Sequence, residues 1–157
     1  MSPDQPVAVG FDGSEGSRRA LRHAAAIAAA LGAELILLHV VDSEQMITAH
    51  ADDRAMSSAH ARELVDAERS DAEAQLTAAV ARLREEGITS VRFEILEGRA
   101  GRAISRRAGE LDSSLVAMGT RGHSGLLRAV LGSVADHVAH HAPCAVLLVG
   151  ADAGDED

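Results

Sequence analysis

Glycine, arginine and serine residues late in the chain have a spacing that suits phosphate binding. Gly119-Thr-Arg121-Gly122 is separated by nine residues from Gly132-Ser133, which opens a helical pattern. Gly119 lets the backbone turn off a strand, and glycine permits the close ligand approach that a Cβ would block. A helix start offers N–H groups and the positive end of the helix dipole, and Arg121 adds a cation. This spacing therefore predicts an anion site.

A second polar cluster, Gly10-Phe-Asp12-Gly-Ser14, follows the first apolar run of the chain. Asp-Gly pairs are common in turns, so the simplest interpretation of Asp12 is an ordinary turn residue. We favour a ligand contact instead, because Asp12 directly follows a predicted strand that can lie beside the glycine loop. Arg121 fits a phosphate contact and a solvated loop side chain equally well.

The remaining reactive side chains indicate neither a catalytic nor a metal site. The chain has no lysine, which excludes a P-loop lysine and Schiff-base chemistry. His137, His140 and His141 fall at a helix C-terminus, where the dipole favours them without a metal. His39 is expected to be a satisfied strand residue, and Cys144 a small core residue rather than a reactive thiol.

Five short apolar runs predict β-strands. A continuously apolar run such as 35–38 is typical of a strand covered on both faces, whereas the alternation in 91–96 indicates a strand near an edge. The predicted strands are Pro6–Phe11, Glu34–Val41, Val91–Leu96, Ser114–Met118 and Ala145–Val149.

Four helical patterns lie between these strands. The first has Ser14 as its N-cap and ends at Leu31 before Gly32. The second is longer and ends at Gly87, and residues 42–58 before it are interpreted as a loop or a mobile helix start. The last two predicted helices are Ala100–Leu111 and Ser133–His141.

This strand–helix alternation predicts an α/β fold: a doubly wound five-stranded parallel sheet with helices on both faces. Such sheets bind ligands at their carboxyl edge, where the strand order reverses. If the Asp12 cluster and the glycine loop share one site, strands 1 and 4 must be neighbours, which selects order 3-2-1-4-5 over 2-1-3-4-5. We expect one domain at residues 1–150 and an acidic disordered tail at 151–157.

Composition narrows the class of protein further. A net charge of −9 argues against nucleic-acid binding, which needs basic surface. No apolar run reaches the roughly 20 residues of a membrane span, and the start of the chain does not resemble a signal peptide. With a single cysteine, these features predict a cytoplasmic protein that contacts no membrane.

The motifs resemble those of a known family. Gly119-x2-Gly122-x9-Gly132-Ser133 is similar to the nucleotide loop of the ATP-binding universal stress proteins. Val9-Gly-Phe-Asp12-Gly-Ser14 resembles the family's N-terminal signature, and Leu37-Leu-His-Val40 its second strand. The resemblance runs from about Pro6 to Val149 and implies the same sheet order, 3-2-1-4-5.

The resemblance also implies a set of ligand contacts. Asp12 would contact the adenine–ribose part of ATP, and Val40 would line the adenine pocket. The residues that would surround the ribose and phosphates, with or without Mg²⁺, follow the fourth strand: Gly119, Arg121, Gly122, Gly132, Ser133 and Val134. Met118, at the end of that strand, is also expected to contact the nucleotide.

Three hypotheses follow. The first is an ATP-binding stress-response or regulatory module that is not an enzyme; the second is a slow ATPase or nucleotide-transferring enzyme; the third is a dimeric scaffold with an empty loop. The sequence near the loop shows no base or acidic pair for phosphoryl transfer, which favours the first. The uncharged final strand, Ala145–Val149, predicts a homodimer that forms through it.

Overall fold

A computed structural model describes residue 2 and residues 4–44, 58–121 and 131–150. In chain order the described elements are β1 (Val7–Gly10), α1 (Glu15–Leu31), β2 (Leu35–Val41), α2 (Ser58–Glu85), β3 (Val91–Glu97), α3 (Ala100–Glu110), β4 (Leu115–Gly119), α4 (Ser133–His141) and β5 (Ala145–Val149).

The strands form one parallel sheet of order β3-β2-β1-β4-β5. β1 pairs with β2 on one side and with β4 on the other, with Val7 opposite both Leu35 and Leu115. The predicted fold class and strand order are therefore confirmed. The order reverses between β1 and β4, so the ends of these two strands open the crevice that parallel sheets use for ligands.

Among the described residues, two helices cover each face of the sheet. On one face α1 and α2 cover an aliphatic cluster that includes Val9, Leu37 and Leu76. On the other face Ile104 of α3 and Val138 of α4 pack on Ile36. β2 faces both layers, which explains why 35–38 is continuously apolar: all four side chains are buried.

Helix α1 begins and ends where its capping residues predict. The Ser14 hydroxyl accepts a hydrogen bond from the Ser17 amide at 3.2 Å. Gly32 follows the helix with φ of 66°, a left-handed conformation that glycine adopts without strain. Capping holds the first turn of α1 against the end of β1, close to Asp12.

The two edge strands differ in charge. β3 carries Arg92 and Glu94, and Arg107 of α3 donates to Glu94 at 2.6 Å. The hydrogen bond from Arg107, with that from Arg92, lowers the pKa of Glu94 to about 2 despite partial burial. β5 is the other edge, and its sequence, AVLLV, contains no charge. Only the β3 edge therefore has charged residues that discourage pairing with another chain.

Several local features refine the expectations from sequence. β4 begins at Leu115 and reaches Gly119, so the first glycine of the loop belongs to the strand. α2 begins at Ser58, while residues 45–57 and the tail at 151–157 lie outside the described residues.

Cys144 is half-buried, and burial raises the pKa of its thiol. No helix in the described part of the chain has the length and apolarity needed to cross a membrane.

Candidate functional site

A cavity of about 340 Å³ opens at the carboxyl edge of the sheet, between the ends of β1 and β4. Its walls come from β1, β2, β4 and the N-terminal turns of three helices. The cavity therefore lies at the reversal of strand order, where parallel sheets bind ligands.

Asp12 is held in the wall of the cavity by a hydrogen-bonded turn with Ser14 and Ser17. Its Oδ1 accepts a hydrogen bond from the Ser14 amide at 2.9 Å, and its own amide donates to the Ser17 hydroxyl at 3.4 Å. That hydroxyl in turn donates to the Ser14 carbonyl at 2.9 Å. The carboxylate is thus part of a turn, as the simplest interpretation proposed, and also lines the cavity. The two roles are compatible.

His39 ties the end of β2 to the end of β1. Its Nδ1 donates to the Phe11 carbonyl at 2.9 Å, which assigns the proton to that nitrogen in the neutral ring. The other ring nitrogen, Nε2, is buried and has no hydrogen-bond partner among the described residues. The expectation of a satisfied histidine is therefore wrong for half of the ring. Strand alternation turns this side chain towards the α1–α2 face, away from Val40.

The apolar wall of the cavity is built by Val40, Met118, Ile104 and Val134. Met118 and Ile104 belong to the buried cluster under α3 and α4, and Val40 and Val134 pack against it. Gly10 forms part of the same wall, where an added Cβ would lie 3.1 Å from the Met118 Cε. A flat aromatic ring could be covered by this surface without displacing a charged group.

Gly119 is needed for a close approach between two backbones. A Cβ at this position would lie 2.6 Å from the Gly16 carbonyl carbon, and a Cβ at Gly16 would lie 2.7 Å from the Arg121 carbonyl oxygen. Gly119 is not among the described glycines with positive φ, so a left-handed backbone conformation is not what requires glycine here. The glycine instead lets the first turn of α1 touch the end of β4.

The N-terminus of α4 closes the far side of the cavity. The Gly132 amide donates to the Thr120 carbonyl at 2.8 Å, which attaches the helix start to the end of β4. The first intrahelical bond runs from the Asp136 amide to the Gly132 carbonyl, also 2.8 Å. The amides of Ser133, Val134 and Ala135 precede it and have no acceptor within the helix. All three residues line the cavity.

The structure brings together eight of the nine residues selected from sequence. Gly122, the ninth, lies outside the described residues. Those that line the cavity are Asp12, Val40, Met118, Gly119, Arg121, Gly132, Ser133 and Val134.

Sequence reasoning missed several residues of this site. Ser17 fixes the Asp12 turn, Gly16 admits the end of β4, and Ile104 and Ala100 reach the cavity from α3. Of these, only Ser17 had a local signal, because Ser14-x-x-Ser17 places a second hydroxyl at the third helical position. The others depend on packing between distant parts of the chain.

The family model described as the universal stress protein family matches residues 5–150. The chain belongs to the universal stress protein family. A universal stress protein of Methanocaldococcus jannaschii is 32% identical over 143 residues, which cover 91% of this chain and 80% of that protein. One from Synechocystis is 28% identical over 148 residues, covering 91% and 96%.

Solved universal stress proteins share the fold. UspA from Lactobacillus plantarum has a TM-score of 0.78 at 25% identity and covers 95% of this chain and 99% of its own. A universal stress protein determined in complex with cAMP has a TM-score of 0.65 at 29% identity, covering 93% and 96%.

Proposed function

We propose that this universal stress protein is a regulatory module that binds an adenine nucleotide in the cavity at the carboxyl edge of the sheet, with ATP as the expected ligand. The observation that carries the proposal is that eight of the nine residues expected to contact the nucleotide line one cavity of about 340 Å³. The cAMP bound by a related universal stress protein supports the adenine nucleotide class.

The lining suits the parts of a nucleotide in turn. Val40, Met118 and Ile104 offer an apolar surface for adenine, and the Asp12 carboxylate can accept a hydrogen bond from a ribose hydroxyl. The amides at the start of α4 that have no acceptor within the helix would face a phosphate, as helix N-termini commonly do. Arg121 forms no ion pair with the described residues and supplies a cation on the same side.

The described lining of the cavity offers no pair of carboxylates that could bind Mg²⁺ beside the phosphates. Asp12 is the only acidic residue among those described around the cavity. A divalent ion would therefore arrive on the phosphates of the nucleotide rather than on a preformed protein site. This lining favours a binding module over the alternative of a slow ATPase, since efficient phosphoryl transfer needs acidic metal ligands and a positioned base.

The test is calorimetric titration of ATP, AMP and cAMP into the purified chain and into Asp12→Asn. The variant keeps an oxygen for the Ser14 amide but loses the charge, so the turn survives while a charge-assisted hydrogen bond to the ligand weakens. We expect at least about tenfold weaker binding, because such bonds contribute roughly 1.5–3 kcal/mol.

Asp112→Asn is the matched control. Asp112 is an exposed turn residue with φ of 50° just before β4, at the opposite edge of the sheet, and Asn tolerates that conformation. Equal nucleotide affinity in the wild-type chain and Asp12→Asn would place the ligand elsewhere. Phosphate release from ATP at ordinary enzyme rates, about 10 s⁻¹, would instead favour the ATPase alternative.

We further propose that the functional unit is a homodimer paired through β5. Its residues Val146, Leu147, Leu148 and Val149 are apolar yet only partly buried in the single chain. A second copy would bury these side chains and satisfy the outward backbone groups of the strand.

A further inference from the structure

A second depression, of about 420 Å³, lies between α3 and α4. Among the described residues it shares no lining residue with the sheet-edge cavity, and it extends towards the C-terminal ends of the two helices. We call it the α3–α4 groove; its lining residues are Arg102, Ser105, Arg106, Gly109, His137, His141 and Pro143.

The groove concentrates basic side chains in a chain whose net charge is −9. Arg102 and Arg106 stand one turn apart on α3, and His137 and His141 one turn apart on α4, and no acidic residue is among the described residues of the lining. Arg102 has no ion-pair partner in the described part of the chain. Arg106 approaches Glu110 at 3.5 Å, but both side chains are at least half exposed, so this pair contributes little.

The helices meet closely where the histidines lie. A Cβ at Gly101 would fall 2.7 Å from the His137 Cβ, so glycine allows α4 to set this imidazole against α3. The His137 and His141 rings stack with centroids 4.1 Å apart and an angle of 15° between their planes. The His141 Nδ1 donates to the His137 carbonyl at 2.8 Å, which leaves its Nε2 for another partner.

This geometry does not suit a metal ion. A metal lies close to the plane of an imidazole that ligates it, and two nearly parallel rings 4.1 Å apart do not share such a position. No group of three potential ligands occurs among the described residues. Two guanidinium groups, with two imidazole rings that can donate N–H groups, instead provide the donors and positive charge that recognise an oxyanion.

A buried hydroxyl gives an independent indication. Ser105 is only 7% exposed and lines the groove, yet its Oγ is buried without a hydrogen-bond partner. An unmet buried hydroxyl is unfavourable, and a ligand oxygen would satisfy it.

We propose that the α3–α4 groove binds a tetrahedral oxyanion of the phosphate type, held by Arg102, Arg106, His137 and His141 with the Ser105 hydroxyl as a further donor. The anion is either free phosphate or the phosphate of a nucleotide. The site is separate from the sheet-edge cavity and does not depend on the function proposed for it.

Binding at this site is coupled to protons. The charged groups near His137 are Arg102 and Arg106 of α3 and Asp136, His140 and His141 of its own helix. Burial lowers the pKa of His137, and the charges of His141 and Arg102 lower it further. A bound dianion opposes these effects and favours the protonated ring, so affinity rises as the pH falls and His137 takes up a proton.

The experiment follows the histidine ring signals of the full chain by two-dimensional ¹H–¹³C NMR during a sulfate titration at constant ionic strength. Sulfate remains a dianion across this pH range, so any pH dependence belongs to the protein. We expect saturable shifts of the His137 and His141 signals and a higher pKa for His137 with sulfate than with chloride. Unchanged titration curves for both histidines would overturn the proposal.

Variants separate this site from general charge attraction. Arg102→Gln and Arg106→Gln should each weaken sulfate binding by roughly fivefold, the upper range for exposed charge pairs. Arg22→Gln, an exposed arginine of α1 on the other face of the sheet, should leave binding unchanged. If the Arg102→Gln, Arg106→Gln double variant binds as well as the wild type, the proposal is wrong.

Ser105→Ala distinguishes a ligand donor from a structural residue. Removing the unpartnered hydroxyl should weaken sulfate binding while the free energy of unfolding without sulfate stays equal or rises.

Replacing sulfate by inorganic phosphate and then by AMP identifies the source of the anion. NMR shifts with both ligands that respond to Arg102→Gln indicate a nucleotide phosphate. Shifts with inorganic phosphate alone indicate the free ion. Undiminished binding in Ser105→Ala would exclude the hydroxyl as a donor and so overturn the site as proposed.

Discussion

Asp12 and Gly16 contribute to the sheet-edge site in different ways. Asp12 presents a carboxylate that is already held by the Ser14 amide, so its orientation is set before a ligand binds. Gly16 presents no side chain, and its contribution is the space it leaves for the Arg121 carbonyl. A preorganised charge and a close backbone contact therefore combine at one edge of the sheet.

Gly16→Ala tests the importance of that close contact. The added Cβ would lie 2.7 Å from the Arg121 carbonyl oxygen, so α1 or the end of β4 must shift. We expect a loss of about 1–3 kcal/mol in the free energy of unfolding, as for other overpacked sites, although alanine is the better helix former. Urea unfolding measures this change, and nucleotide affinity should fall with it.

Gly150→Ala is the control for this substitution. Gly150 has no positive φ, and a Cβ there would meet nothing within 4 Å. Its stability should match that of the wild type. A Gly16→Ala chain as stable as Gly150→Ala would show that α1 and β4 do not need the contact described here.

At the scale of elements, the helices on the two faces of the sheet are held by different interactions. α1 and α2 lie over a wide aliphatic cluster, whereas α3 is also joined to β3 by ion pairs around Glu94. Arg92 and Arg107 both donate to Glu94, whose side chain is 18% exposed. This network holds α3 beside the sheet and leaves the charged edge of β3 internally paired.

Glu94→Gln tests the network through its pH dependence. Because the folded pKa of Glu94, about 2, is below its usual value of 4.5, the carboxylate stabilises the fold above pH 4.5 and loses that effect as pH falls towards 2. With a discount for solvent screening, we expect the variant to lose about 1–2 kcal/mol at pH 7.

Urea unfolding at pH 7, 5 and 3.5 is the measurement, and the gap between wild type and Glu94→Gln should narrow at the lowest pH. Glu86→Gln removes one exposed partner of Arg82 and should cost much less at every pH. A constant gap from pH 7 to 3.5 would contradict the assignment of the lowered pKa to this network.

At the scale of the whole molecule, β5 is an edge of the sheet with outward backbone groups. The Thr120 amide donates to the Val149 carbonyl at 3.0 Å, so the backbone groups of Val149 face β4. By strand alternation those of Leu147 face β4 as well, and those of Val146 and Leu148 face outward. A partner strand would pair with these outward groups.

Leu148→Pro should therefore disrupt a β5-paired dimer without removing a bond inside the sheet. We expect a dimer of the wild-type chain and a monomer of the variant by sedimentation at micromolar concentration, both folded by circular dichroism. Leu147→Pro, which removes a bond to β4, should also lower the melting temperature. A wild-type chain that sediments as a monomer, or a folded Leu148→Pro dimer, would rule out this interface.

The amino-acid sequence by itself determined the fold class and the strand order, and it predicted eight residues that line the sheet-edge cavity. Apolar runs and helical periodicity are local signals, and the spacing of Gly119, Gly122 and Gly132 marks a loop between a strand and a helix. The strand order followed because Asp12 and the glycine loop reach the same place only if β1 and β4 are neighbours. The sequence was thus enough to predict the elements, which depend on residues close together in the chain. It was also enough to predict the strand order, which depends on the single requirement that β1 and β4 are neighbours.

Only the tertiary structure decided the contacts between distant residues. Gly16 and Gly119 are both ordinary glycines in sequence, and the close approach that leaves no room for a Cβ on either arises when α1 packs across β4. Likewise, Arg102 and His137 share a groove because α3 and α4 meet at Gly101. Such contacts arise from how helices settle on the sheet, which depends on the summed packing of the core and leaves no periodic signal in the chain.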